Sequence, residues 1–138
     1  MRYLVLLLSM LLTLLGQTPC FAHDSAEYRA CSDKANTQAE MTACAGAEAK
    51  RVDAKLNSTY RALLARAASQ PEAVAKIKAA ERVWVAYRDA YIEATYPAKD
   101  KATEYGSMYS LEVALLRAKL TQRQVTALED MLQRYTPK

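Results

Sequence analysis

CSDKANTQAEMTACAGAEAKRVDAKLNSTY, residues 31–60, is the stretch from which the fold is read. Its two cysteines, Cys31 and Cys44, lie thirteen steps apart. On one straight helix those steps would separate them by about 20 Å, whereas a disulfide needs Cα atoms within roughly 7 Å. If the pair is bonded, the chain must turn back between them, and Asn36-Thr37 is the place. Thr37-Gln38-Ala39-Glu40 has the form of a capping box, in which Thr37 accepts from the Glu40 amide and Glu40 reaches back. A helix therefore starts at Gln38. Met41, Ala45, Val52, Leu56, Tyr60 and Leu63 follow on one stripe, which carries that helix to about Ala67.

The N-terminus sets the redox setting for those cysteines. Arg2 is followed by an apolar run from Leu4 to Leu15, broken only by Ser9 and Thr13. Twelve residues are too few to span a bilayer, which takes about 20. Gly16, Gln17 and Pro19 end the run, and Cys20-Phe21-Ala22 places small residues where a signal peptidase reads. Residues 1–22 are expected to be a signal peptide cleaved after Ala22, and 23–138 a single helical domain, periplasmic or secreted. The competing use of Cys20, as a lipoprotein anchor, is disfavoured because Gln17-Thr18-Pro19 does not make a lipobox. Stable membrane insertion is not expected after cleavage.

With Cys20 removed, Cys31 and Cys44 remain as an even pair in an oxidising compartment, and a structural disulfide is expected. A zinc site is the competing use, but the chain has one histidine, His23. A redox pair would more often be spaced CxxC. No metal and no cofactor are expected.

Downstream, Ser69-Gln70-Pro71 puts a proline near the first position of a helix, where its missing N–H costs nothing. That second helix runs to about Thr95, with Val74, Ile77, Trp84, Tyr91 and Thr95 on its inner stripe, and Pro97 stops it. A polar loop through Lys99-Asp100-Lys101 reaches Gly106-Ser107. The third long helix carries Tyr109, Val113, Leu116, Leu120, Leu128, Met131 or Leu132, and Tyr135. No alternating strand pattern competes. The expected fold is all-α: an antiparallel bundle of three long helices plus a short N-terminal helix pinned by the disulfide.

Two side-chain groups stand out within WVAYRD, residues 84–89, and beyond it. In a hairpin turning at Ser69-Gln70, Arg88 falls opposite position 50, near Glu48 and Asp53. It shares a stripe with Trp84, so its head needs a partner. A register-fixing ion pair with Glu48, or less favourably Asp53, outweighs a ligand site here. Five tyrosines (Tyr87, Tyr91, Tyr96, Tyr105, Tyr109) bracket the connection between the second and third long helices. Tyr87, Tyr91 and Tyr109 are expected in the core or at its rim, with only Tyr96 and Tyr105 exposed. If a partner surface exists, Tyr96, Tyr105 and Tyr109 are its candidates, because tyrosine combines apolar area with a polar handle.

Catalytic groups are not visible. With one histidine, no unpaired cysteine after cleavage and no nucleophile elbow, hydrolytic and acyl-transfer chemistry lack a starting point, so no enzyme is expected. An N-terminal His23 could bind copper, but a copper brace needs a second histidine. Without Arg2 the chain has eighteen basic and fifteen acidic side chains, a net charge of +3. These charges are interspersed, and no basic stripe with aromatics points to nucleic acid.

Cys31, Thr37-Gln38-Ala39-Glu40-Met41, Cys44-Ala45, Glu48, Asp53, Leu56-Asn57 and Tyr60 resemble the first half of the LprI-type lysozyme-inhibitor domain. Trp84, Tyr87-Arg88-Asp89, Gly106-Ser107 and Thr121-Gln122-Arg123 with Leu128 resemble its second half. The resemblance covers essentially all of residues 23–138. It implies an exported, all-helical bacterial protein that binds a protein partner such as a lysozyme or other cell-wall muramidase. The alternative is a non-inhibitory structural or interaction module of the envelope. Many members carry a second cysteine pair, one of them shortly after the Tyr-Arg-Asp segment; Ile92 and its neighbours offer none.

Overall fold

A computed structural model describes residues 25–135; the expected signal peptide with its Cys20, and His23, lie outside them. The helices are α1 (Ala26–Ser32), α2 (Gln38–Arg66), α3 (Pro71–Thr95), α4 (Lys101–Tyr105) and α5 (Tyr109–Arg134), with a 3-10 turn, Gly106–Met108, before α5. No strand occurs among the described residues. The three long helices run up, down and up, so the first and last are parallel.

The start of α2 follows from its sequence. Thr37 Oγ1 accepts from the Glu40 amide at 3.2 Å, and the Glu40 carboxylate accepts from the Thr37 and Asn36 amides at 3.0 and 2.7 Å. Those backbone donors hold the Glu40 carboxyl below its ordinary value. Just upstream the chain reverses, and Cys31 and Cys44 form a disulfide across a Cα separation of 5.7 Å. α1 buries none of its residues. It is tied at its other end by Ser25, which caps α1 through the Tyr28 amide at 2.9 Å and donates to Glu48 on α2 at 2.7 Å.

The closest helix pair is α2 with α5. On α2 the buried positions Ala45, Ala49, Val52, Leu56, Thr59 and Leu63 alternate steps of four and three, a heptad seam. On α5 Leu111, Ala118 and Val125 recur every seven residues, with Thr121 and Leu128 three residues after Ala118 and Val125. The seams meet in parallel: Gln38 lies by Ser107 at one end, and Lys55 pairs with Glu129 at 2.9 Å further on. α3 leans on this pair and buries only Ile77 and Ile92 completely.

Three expectations change. The inner stripe of α3 follows Ile77, Trp84, Arg88 and Ile92, while Tyr87 and Tyr91, expected in the core or at its rim, and Thr95 are exposed. After the step of seven from Ile77 to Trp84, steps of four through Arg88 carry the stripe to Ile92 and away from Tyr91. On α2 Thr59 takes the buried place, with Tyr60 half-buried beside it. The polar loop after Pro97 contains a helical turn, α4, because Asp100 accepts from both the amide and the hydroxyl of Thr103.

Candidate functional site

Two polar clusters and one aromatic cluster collect the residues singled out from the sequence. The first polar cluster is centred on Glu48, almost fully buried. Arg51, one turn along the same helix, donates to both its carboxylate oxygens at 2.9 and 2.7 Å, and Ser25 adds a third bond. The bidentate guanidinium is the main reason the Glu48 carboxyl titrates below the ordinary range despite its burial. Arg51 is raised in turn by the same contact.

Arg88 has different partners from Glu48. Its guanidinium meets Asp89 Oδ1 at 2.9 Å and Asp53 Oδ1 at 3.8 Å, and it lies over the Trp84 ring at 5.2 Å. Arg117 of α5 reaches the same Asp89 oxygen at 3.6 Å. One network thus joins α2 through Asp53, α3 through Arg88 and Asp89, and α5 through Arg117. The expected Arg88–Glu48 pair does not form. Asp53 lies five residues, about 7.5 Å, further along α2 and around toward α3, while Glu48 faces α1. The i, i+3 spacing of Glu48 and Arg51 was a legible signal for the pair that does form. Ser25 and Arg117 carried none.

The position of the carboxylates fixes what Arg88 contributes. Its side chain is 12% exposed, but Asp53 and Asp89 are 40% and 52% exposed. Truncating Arg88 leaves no buried charge behind, so the large penalty for a broken buried pair does not apply. Arg88→Ala is expected to cost about 1 kcal/mol, mainly from the stem and the cation–π contact on Trp84. A shift in urea midpoint at constant slope measures it. A loss several times larger would mean that Asp53 or Asp89 is desolvated.

The aromatic cluster closes the connection between α3 and α5. Tyr96 ends α3, Tyr105 ends α4 and Tyr109 begins α5. Tyr96 meets Tyr105 and Tyr109 edge-on at 5.2 and 5.3 Å, and those two stack at 5.8 Å. Gly106, at φ 67°, makes the reversal between α4 and α5 in a region that favours glycine. Polar handles lock the rings: Tyr96 donates to Glu112 at 3.3 Å, and Tyr105 accepts from the Ala98 amide at 3.0 Å. Burial, then the neighbouring Glu112, raises the Tyr96 phenol. Lys101 bridges Glu93 and the Tyr96 carbonyl. All three rings are half-buried, and Met108 beside them is exposed. The result is an interlocked aromatic knuckle at one end of the bundle.

Other parts of the described structure offer no alternative centre. A cavity of about 670 Å³ opens at the opposite end between the start of α3 and the end of α5, lined by Pro71, Ile77, Met131 and Tyr135. Its charged residues, Glu72 and Lys76, pair with each other at 2.9 Å in solvent. No group of three or more histidine, cysteine or carboxylate side chains capable of holding a metal occurs among the described residues. No described helix is long and apolar enough to cross a membrane.

An uncharacterized protein of Rhizobium meliloti (strain 1021) is 30% identical over 112 residues, covering 72% of this chain and 77% of that protein. No solved structure matches. The profile of the family described as "Lysozyme inhibitor LprI" matches residues 31–128, from the first bonded cysteine to the last buried leucine of α5. The chain therefore belongs to the LprI lysozyme-inhibitor family.

Proposed function

We propose that the protein is exported, processed after Ala22, and acts as a non-enzymatic binding module that inhibits a lysozyme or another cell-wall muramidase. Family membership across residues 31–128 is the observation that carries this reading. The contact surface is assigned to the segment from Tyr96 to Tyr109, where three interlocked rings and an exposed Met108 present a preorganised apolar face.

Net charge narrows the target. A domain of +3 is not steered toward strongly basic lysozymes, so an acidic or near-neutral muramidase fits better. Binding to a basic one should improve as salt screens the repulsion. Purified cell walls cleared by acidic and basic muramidases, followed by turbidity with and without the protein, provide the test. Slowing of at least one enzyme is expected, and Tyr105→Ala should weaken it by about 2 kcal/mol if that ring sits centrally in the contact. If no enzyme is slowed at about a tenfold molar excess, which would detect affinities near the working concentration, inhibition is rejected. A non-inhibitory interaction module of the envelope then becomes the better reading.

A further inference from the structure

α3 is apolar on two sides. One side carries Ile77, Trp84 and Ile92 toward the core. At about 100° per residue, Ala79, Val83, Ala86, Tyr87, Ala90 and Tyr91 form a second strip on the far side, and every one of them is exposed. Val83 is 70% and Tyr87 55% exposed. Between Lys76 and Glu93 no charged side chain interrupts the strip. A helix with apolar surface on opposite faces is characteristically covered on both.

The spacing of the strip identifies its cover. Val83 and Ala90 occupy a positions of a heptad whose d positions are Ala79 and Ala86. Lys76 continues the a series at one end, and Glu93 continues the d series at the other. When two copies of α3 lie antiparallel about a two-fold axis, a positions face d positions. Val83 then meets Ala86 of the second copy and Ala79 meets Ala90, while Lys76, paired with Glu72 in its own copy, and Glu93, paired with Lys101, come together in a four-charge cluster, each contact occurring twice by symmetry. In the same register Arg82 and Asp89, both at g, face each other across the seam. Arg82 has no ion pair among the described residues, and the Arg88 and Arg117 bonds to Asp89 all use Oδ1, leaving Oδ2 open. Parallel pairing would instead set Lys76 against Lys76 and Glu93 against Glu93. The strip is thus self-complementary in one orientation, and its alanines allow close backbone approach.

We infer that α3 forms the interface of a two-fold homodimer in which the α3 helices of two copies pack antiparallel through the Ala79–Ala90 strip. Sedimentation velocity on the protein, expressed from its full sequence and purified, tests this from about 1 to about 100 µM, the range of a modest helix-pair interface. A monomer–dimer equilibrium is expected within that range. Val83→Glu and Lys76→Glu, both at exposed positions, should each raise the dissociation constant at least tenfold with unchanged helix content by circular dichroism. Adding Glu93→Lys to Lys76→Glu should recover most of the loss, because the reversed charges face each other again. A monomer throughout the range overturns the inference. So does a dimer that ignores Val83→Glu, or a charge reversal that the second substitution does not rescue.

Discussion

Loss of the Cys31–Cys44 bond is expected to lower the unfolding free energy by about 3 kcal/mol, the chain-entropy value for so short a loop. For a domain of this size that corresponds to a fall in Tm of about 12 °C. The expectation is sharpened by the geometry of α1, which buries no residue and is held by this bond at one end and by the Ser25–Glu48 contact at the other. Reduction should therefore free α1 first, seen as fast amide exchange over Ala26–Ser32, while α2, α3 and α5 keep their helicity. Thermal unfolding of the Cys31→Ser, Cys44→Ser double variant gives the magnitude. Thiol labelling of the denatured, unreduced protein should find neither cysteine reactive. Stoichiometric labelling of both, or an unchanged Tm in the variant, would contradict it.

Leu63→Ala should have a comparable effect from the opposite end of the molecule. Leu63 is 0% exposed and belongs to the cluster that joins α2 to Ile77 of α3 and to Val125 and Leu128 of α5. Truncation removes transfer free energy and leaves a cavity that three packed helices cannot close, which costs about 3 kcal/mol. Chemical denaturation should show a lower midpoint at constant slope. Loss below about 1 kcal/mol would show that the hairpin end of the bundle repacks freely around the gap.

Local chemistry made much of the fold legible. The Thr37–Glu40 box and Pro71 punctuate the chain by interactions within four residues, and the helices begin where those residues dictate. The paired cysteines forced the reversal before α2. Rotation about a helix axis is a different matter, since it depends on what lies alongside. Tyr91 and Ile92 are equally plausible inner residues until the packing of α3 against its neighbours selects Ile92. Arg88 could be placed near two carboxylates from hairpin arithmetic, but the choice of Asp53 over Glu48 followed from α1 and Arg51 having already engaged Glu48. The interlocking of Tyr96, Tyr105 and Tyr109 required the turn at Gly106, which composition suggested but could not orient.

The parallel seam between α2 and α5 has a consequence for how the protein acquires its structure. Its two halves are distant in sequence: Asp53 and Thr121, neighbours across the seam, are 68 positions apart. Helix neighbours in sequence share comparatively little of the core, so no early portion of the chain can bury a sufficient apolar face by itself. Closing such a long loop comes before its contacts reward it, and that slows folding relative to a bundle of sequential hairpins. Synthesis must reach the end of α5 before the seam has a second side. Until then the chain stays open and threadable, the condition that passage through a secretion channel demands of the exported protein proposed above.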